Sequence, residues 1–122
     1  MKKILIVDDS KEIRHLVKTT LEMNDYKVIE APDGNKAVEI ARKIRPDIII
    51  LDLMMPGMDG FEATRLLTTD PETKDSKIII LTGSELRNKE RAMAVGADDF
   101  FVKPFSPLDL IAKVESIIGS AL

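Results

Sequence analysis

Five short apolar runs recur along the chain at regular intervals. Residues 4–7, 48–51 and 78–81 are continuously apolar rather than alternating. Continuous runs of this length are typical of strands that are covered on both faces, as in a parallel sheet between two layers of helices. Two shorter runs, residues 27–29 and 100–102, predict a second and a fifth strand.

Helical patterns lie between these runs and after the last one. Three segments carry one-sided apolar stripes with spacings of three and four residues, which predict amphipathic helices. The stripes are Ile13, Leu16, Val17, Thr20 and Leu21 in the first helix, Ala37, Ile40, Ala41 and Ile44 in the second, and Leu110, Ile111, Val114, Ile117 and Ile118 in the fifth.

Capping residues mark other helix ends. Asp59, with Glu62 three residues later, predicts a capping box at the start of the third helix. The highly charged fourth helix covers roughly residues 85–95, and Gly96 predicts its end. Ser106 and Pro107 are an N-cap and a first helical residue for the fifth helix.

Strands and helices therefore alternate five times. This order predicts an α/β fold of the flavodoxin-like type, a doubly wound three-layer sandwich around a five-stranded parallel sheet in the order 2-1-3-4-5. The chain has 122 residues, enough for one hydrophobic core. We expect a single domain over residues 1–122 with no output domain.

Composition and charge argue against several classes of protein. The chain is 44% hydrophobic and 32% charged, as in globular proteins, and no apolar run approaches the ~20 residues that span a bilayer. It has no cysteine, which excludes disulfides and thiolate chemistry and is compatible with a cytoplasmic protein. A net charge of −3 without a basic run argues against nucleic-acid binding as the main activity.

Polar residues end four of the five predicted strands. The first strand ends in Asp8 and Asp9, the third in Asp52, the fourth in Thr82 and the fifth in Lys103. Ligands of open parallel sheets bind beyond the carboxyl ends of the strands, where the strand order reverses. That place lies between strands 1 and 3, so we expect these side chains to meet there.

The three carboxylates require more positive charge than Lys103 provides. Like charges a few ångströms apart repel by ~1 kcal/mol in water and by more near low dielectric. An all-oxygen site without His or Cys favours a hard divalent cation, and we expect Mg²⁺. A carboxylate beside Mg²⁺, a lysine and a hydroxyl is suited to phosphoryl transfer, with Asp52 as the nucleophile.

Each residue taken alone has a simpler interpretation. A lone Asp after a strand is usually a turn or capping residue, and Asp9 or Thr82 would then cap the following helix. Lys103 alone would be a solvated surface lysine. Their occurrence together at the ends of neighbouring strands favours a functional site. His15 lies in the middle of a predicted helix and is interpreted as structural.

Four motifs make the chain resemble the receiver domain of bacterial two-component response regulators over residues 2–120. They are Ile6-Val7-Asp8-Asp9-Ser10, the stretch Leu51-Asp52-Leu53-Met54-Met55-Pro56-Gly57-Met58-Asp59-Gly60, Leu81-Thr82-Gly83, and Phe101-Val102-Lys103-Pro104-Phe105.

The resemblance implies a role for each motif residue. Asp52 would accept the phosphoryl group, and Asp8, Asp9, Asp52 and the backbone carbonyl of Met54 would bind Mg²⁺. Lys103 and Thr82 would contact the phosphoryl group. Phe100 would move inward as Thr82 moves, and the Lys103–Pro104 bond would be cis. The chain would not be an enzyme, apart from assisting its own phosphorylation and slow dephosphorylation.

The resemblance also implies partners. A sensor histidine kinase or a histidine phosphotransfer protein would donate the phosphoryl group, docking near Ile13, Arg14, Pro104 and Phe105. A downstream protein would bind the face formed by helix 4, strand 5 and helix 5, and the chain would be a monomer or a weak dimer.

Two positions depart from the common pattern of the family. Gly83 stands where a small residue such as Ala is usual, and it adds backbone freedom beside Thr82. Phe100 stands where Tyr is frequent, so a partner that binds a tyrosine hydroxyl would not find one. Met54 and Ser84, two residues after Asp52 and Thr82, cannot orient a water as an acid or amide would. We therefore expect a phosphoryl group that lasts minutes or longer.

Three alternatives remain open at this stage. A phosphatase of the haloacid dehalogenase type would need a general acid at position 54, where this chain has Met54. A flavin-binding electron carrier would have to hold a phosphate beside Asp8 and Asp9, which would repel it. A pseudo-receiver would share the fold without being phosphorylated, although all five site residues are present.

Overall fold

The five apolar runs form five parallel strands. A computed structural model describes residues 1–55, 57–83 and 86–118. The strands pair in the order β2-β1-β3-β4-β5, which confirms the predicted topology. Their bounds are β1 Lys3–Val7, β2 Lys27–Ala31, β3 Ile48–Asp52, β4 Lys77–Thr82 and β5 Asp99–Val102.

Five helices follow the strands, and the continuous apolar runs reflect helices on both faces of the sheet. Alternate strand residues belong to two separate core clusters, Leu5 to one and Ile4 to the other. One cluster includes residues of α2, α3 and α4, and the other includes residues of α1 and α5. The helices are α1 Lys11–Glu22, α2 Gly34–Ile44, α3 Gly60–Thr69, α4 Leu86–Ala94 and α5 Pro107–Ile118.

The helix ends follow the capping rules with two differences. Ser10, not Asp9, caps α1, because the Ser10 hydroxyl accepts the Ile13 N–H at 3.3 Å. Asp59 caps α3 by accepting the Glu62 N–H at 2.8 Å. The carboxylate of Glu62 pairs with Arg65 at 3.0 Å, so the structure shows the Asp59 half of the predicted capping box and not the returning contact of Glu62.

The boundaries of other elements also differ from the sequence interpretation. β2 extends through Ala31, and Asp52 and Thr82 end their strands as predicted, whereas Asp8, Asp9 and Lys103 come directly after theirs. Residue 85, the predicted start of the fourth helix, lies outside the described residues. Gly96 has φ of +110°, a left-handed conformation that favours glycine after a helix end.

The first helix exposes part of its predicted core stripe. Val17, Thr20 and Leu21 are buried, whereas Leu16 is 38% exposed. Leu16 lies at the carboxyl edge of the sheet, where it lines a cavity together with Lys103. Within the part of the chain that the structure describes, no helix is both long enough and apolar enough to cross a membrane.

Candidate functional site

Three carboxylates meet at the carboxyl edge of the sheet, between β1 and β3. Asp8, Asp9 and Asp52 each place a carboxylate oxygen within 4.8 Å of the others. Asp8 is fully buried and Asp52 is 3% exposed, whereas Asp9 lies at the surface. The register explains the meeting, because Val7 of β1 pairs with Leu51 of β3 immediately before the acids.

Lys103 joins two of these carboxylates. Its Nζ lies 3.2 Å from Oδ2 of Asp8 and 3.4 Å from Oδ2 of Asp52. Its side chain is 29% exposed, so Lys103 is not the solvated surface lysine of the simpler interpretation. Lys103 follows β5, and the backbone holds it there because its N–H donates to the Thr82 carbonyl at 2.8 Å.

Backbone N–H groups fix the remaining geometry of the two buried acids. Oδ1 of Asp8 accepts the Ser10 N–H at 2.8 Å, and Oδ1 of Asp52 accepts the Met54 N–H at 3.1 Å. Each acid therefore uses one oxygen to hold the loop that follows it. The other oxygen of each faces Lys103, at the place where the carboxylates converge.

The start of α3 presses closely against the end of β3. A Cβ at Gly60 would lie 2.6 Å from the Leu53 Cα and 2.7 Å from the Asp52 carbonyl oxygen, so only glycine fits. The Gly60 N–H donates to the Leu53 carbonyl at 3.1 Å. This contact sets the start of α3 directly against the end of β3, beside Asp52.

The electrostatics of the site favour an added cation. Burial raises the pKa of Asp52 above its ordinary value, the Asp8 charge raises it further, and the Met54 N–H and Lys103 offset this only in part. Burial lowers the pKa of Lys103, but Asp52 and Asp8 together raise it by more, so its pKa is above its ordinary value. Lys103 therefore stays protonated, but its single positive charge does not balance the carboxylates around it.

The residues present fit Mg²⁺. Two buried carboxylates and one exposed carboxylate converge. The buried pair carries negative charge that water does not screen, and the exposed one leaves the site accessible to an ion from solvent. All the donors are oxygens, the ligands that a hard divalent cation prefers. Met54, whose carbonyl the family resemblance adds to the ligands, exposes 76% of its surface beside the site.

Thr82 and Phe100 occupy the next two strands. Within the described residues, the buried Oγ1 of Thr82 has no hydrogen-bond partner, so Thr82 is not seen to cap a helix. Phe100 is half-buried against the core, and the Nζ atoms of Lys89 and Lys113 lie 4.4 Å and 6.0 Å from its ring centroid. Ser84, the other lifetime position, lies outside the described residues.

An apolar cavity opens beside the acids, between α1 and the loop after β5. The Lys103–Pro104 peptide bond is cis, as predicted. The cavity has a volume of about 370 Å³ and is lined by Ile13, Leu16, Lys103, Pro104 and Phe105. Sequence reasoning assigned Leu16 to the core and missed it here. Arg14 has a side chain that is only 16% exposed, and its guanidinium contacts Asp8 and Glu30.

Comparison with protein families decides what this arrangement is. The model of the response regulator receiver domain matches residues 4–115. The chain belongs to this family. The haloacid dehalogenase and electron-carrier alternatives are therefore set aside, and the strand-end acids of this receiver domain are those of a two-component signalling protein.

Similar proteins and structures agree with this assignment. The receiver domain is 42% identical over 118 residues to the phosphate regulon transcriptional regulatory protein PhoB of Pseudomonas aeruginosa, covering 96% of this chain and 52% of PhoB. It is 39% identical to the DNA-binding regulator RpaA of Synechocystis, covering 97% of this chain and 49% of RpaA. The chemotaxis response regulator CheY4 of Vibrio cholerae has a similar structure, with a TM-score of 0.91 at 39% identity, covering 96% of this chain and 98% of CheY4.

The coverage limits what these relatives imply. The receiver domain spans about half the length of the curated relatives that it matches. Receiver domains interact with histidine kinases and with downstream effectors. Because RpaA is described as DNA-binding, the expectation of no nucleic-acid partner is not confirmed.

Proposed function

We propose that this receiver domain accepts a phosphoryl group on Asp52 and passes the signal on through phosphorylation-dependent protein binding. The observation that carries the proposal is the pair of contacts that Lys103 makes with Asp52 and Asp8 at 3.4 Å and 3.2 Å. These contacts put a cation beside the buried Asp52 carboxylate, whose neighbour in the acidic cluster, Asp9, is exposed to solvent.

The donor is the phosphohistidine of a sensor kinase or a histidine phosphotransfer protein. A carboxylate oxygen of Asp52 attacks phosphorus, and a new P–O bond forms as the P–N bond of phosphohistidine breaks. The electron pair of the P–N bond returns to the imidazole nitrogen, and the donor histidine leaves as neutral imidazole because its other ring nitrogen already carries a proton. The product on Asp52 is a mixed carboxylic–phosphoric anhydride.

The surrounding residues stabilise the charge that the reaction gathers. The ammonium of Lys103 neutralises phosphoryl oxygens from the β5 side, and the Thr82 hydroxyl supplies a hydrogen bond from the β4 side. Asp8, Asp9, Asp52 and the Met54 carbonyl would hold Mg²⁺, which supplies Lewis-acid charge neutralisation when bound. Among the described residues nothing bonds the buried Oγ1 of Thr82, which supports this role because a buried hydroxyl gains most from a new acceptor.

The cavity beside the acids is the proposed docking place of the donor. It has an apolar lining and borders Lys103, which also lines it. The apolar residues are Ile13, Leu16, Pro104 and Phe105. A donor helix that fills this cavity would bring its phosphohistidine to the edge where Asp52 lies. We add Leu16 to the docking residues that the family resemblance implies.

The face formed by α4, β5 and α5 is the proposed output surface. It exposes the apolar side chains of Met93, Val102 and Leu108, with 43%, 37% and 78% exposure. Phe100 lies beneath it, between Lys89 and Lys113, so a change in its ring position alters this surface. Binding of a downstream protein or of a second copy in a weak dimer would respond to that change.

The test is a mass measurement with a small-molecule donor. The protein is incubated with acetyl phosphate and Mg²⁺, and the intact mass is recorded before and after brief base treatment. One added phosphoryl group that base removes supports an acyl phosphate. An unmodified mass would favour a pseudo-receiver, a binding module that keeps the fold without the chemistry. Asp52→Asn is the control, which must remain unmodified.

A further inference from the structure

Arg14 of α1 forms a bridge beneath the acidic loop. Its Nη1 donates to the backbone carbonyl of Asp8 at 2.7 Å, and its Nε donates to Oε1 of Glu30 in β2 at 3.1 Å. Two N–H groups of one planar guanidinium are thus fixed by one acceptor directly after β1 and one acceptor in β2. The side chain is only 16% exposed, so it is held within the fold.

The bridge fixes the peptide that joins the first two acids. The Asp8 N–H donates to the Ala31 carbonyl at 3.2 Å, and the Asp8 carbonyl accepts from Arg14. The peptide groups on both sides of Asp8 are therefore bonded. The second of these peptides leads directly to Asp9, and its orientation sets where the Asp9 carboxylate points. Asp9 is the exposed member of the acidic cluster.

We propose that Arg14, held by Glu30, is a positioning residue for the metal site, acting through the Asp8 carbonyl to aim the Asp9 carboxylate at the cation. The proposal rests on the Mg²⁺ site of the proposed function. It gives Arg14 a role inside the domain, and it leaves the apolar side chains of the neighbouring cavity to make the donor contact.

Charge alone predicts the opposite effect. Arg14 is a cation close to the place where a divalent cation would bind, so its field opposes metal binding. Removing Arg14 would strengthen Mg²⁺ binding if only the field mattered. If Arg14 positions Asp9, its removal weakens binding, because partners that orient metal ligands typically change metal affinity by about 10–100-fold. The sign of the change distinguishes the two accounts.

Lys18 provides a matched control. Its Nζ lies 3.8 Å from Oε2 of Glu30, one turn further along α1. Lys18 therefore shares the acid and the charge of Arg14, while the contact with the Asp8 carbonyl belongs to Arg14. Lys18→Met removes a cation from the same pair without touching the acidic loop.

The experiment is a Mg²⁺ titration, without any phosphoryl donor, followed by calorimetry or by backbone amide shifts. We expect Arg14→Met to raise the Mg²⁺ dissociation constant by about tenfold. Arg14→Lys should also raise it, because Lys keeps the charge but lacks the planar fork of N–H groups that spans both acceptors. Lys18→Met should stay within about twofold. Glu30→Leu, which frees one end of the guanidinium, should give a smaller loss in the same direction as Arg14→Met.

Melting temperatures in EDTA and in saturating Mg²⁺ separate positioning from general stability. A purely structural role lowers both temperatures equally, whereas positioning also reduces the increase that a fixed Mg²⁺ concentration produces. Unchanged or tighter Mg²⁺ binding in Arg14→Met, or full recovery in Arg14→Lys, would overturn the inference alone. Absence of Mg²⁺ binding to the wild-type protein would instead overturn the proposed function and this inference with it.

Discussion

Lys103 reaches from the end of β5 across β4 to Asp52 at the end of β3, and the two charged atoms lie 3.4 Å apart. The same Nζ is 3.2 Å from Asp8 of β1. One lysine thus offsets part of a charge cluster drawn from strands that are not its neighbours. The partial offset makes the metal-free protein sensitive to pH and to substitution of the acids.

The first prediction concerns the stability of the metal-free protein against pH. Asp52 has a raised pKa in the folded state because of burial and Asp8, so the folded state binds more protons than the unfolded state between the two pKa values. The free energy of unfolding should therefore fall as the pH rises from the ordinary Asp range through the folded pKa. We expect Asp52→Asn to lack this fall and to be more stable at pH 7 by about 1 kcal/mol.

Urea unfolding in EDTA, measured from acid to neutral pH, checks this prediction. The raised pKa of Lys103 acts in a different window, because its stabilisation is present at neutral pH and is lost only as the pH rises through its folded pKa. Parallel pH profiles for the wild-type protein and Asp52→Asn below neutral pH would contradict the prediction, because they would show that ionisation of Asp52 does not destabilise the folded state.

The topology could be predicted from the sequence because the central strands are covered on both faces. Such strands are continuously apolar, and three of them were enough to indicate a parallel sheet between helices. Once the strand order was set, the meeting of Asp8, Asp52 and Lys103 followed, since parallel strands bring their carboxyl ends to one edge.

The remaining features depend on side-chain reach, which periodicity does not encode. The apolar stripe of α1 gave no sign that Leu16 lines a cavity at the edge of the sheet instead of packing in the core. Arg14 contacts Glu30, sixteen positions away, through a long side chain whose direction the sequence does not define. Asp9 and Ser10 are both good capping residues, and only the backbone geometry selects Ser10.

The second prediction concerns the buried hydroxyl of Thr82. Burying a hydroxyl without a hydrogen-bond partner costs about 1–3 kcal/mol, and Thr82 has none within the described ranges. The isosteric Thr82→Val should therefore stabilise the unphosphorylated protein by about 1 kcal/mol. It should also abolish the response of the output face to phosphorylation. Thr64→Val is the matched control: Thr64 is equally buried, but its hydroxyl donates to the Gly60 carbonyl at 2.7 Å, so this change should destabilise. Urea unfolding measures the stability of the two variants, and destabilisation by Thr82→Val would contradict the prediction.

The third prediction concerns the lifetime of the phosphoryl group. Met54 follows Asp52 by two residues and exposes an apolar side chain that cannot orient an attacking water. Groups that assist proton transfer typically contribute about 10²–10⁴-fold, and an amide that only orients water should contribute less. We expect Met54→Gln to shorten the lifetime by about tenfold, measured as loss of added mass after the donor is removed.

Met23→Gln serves as the control for this lifetime. Met23 is 79% exposed, similar to Met54, but it lies at the far end of α1. Its lifetime should equal that of the wild-type protein, which should be minutes or longer. Decay of the wild-type phosphoryl group within a few seconds would show that residues other than Met54 control hydrolysis.

The fourth prediction concerns donor docking at the cavity. Leu16→Glu places a charge in an apolar lining and should reduce kcat/KM for transfer from a phosphohistidine protein by about tenfold, or about 1.4 kcal/mol. Phosphorylation by acetyl phosphate should stay within about twofold, because a small donor needs no docking surface. Met23→Glu, further along the same helix, should leave both rates unchanged. Equal losses with both donors would assign Leu16 to the chemistry or to folding instead.

The most direct test of the account is to locate the modified residue. The protein treated with acetyl phosphate and Mg²⁺ is reduced with borohydride, which converts an acyl phosphate into the alcohol, and the digested peptides are analysed by mass spectrometry. The account predicts homoserine at position 52, dependent on Mg²⁺ and absent without the donor. Homoserine at Asp8 or Asp9, or none at any acid, would contradict the claim that Asp52 is the phosphoryl acceptor.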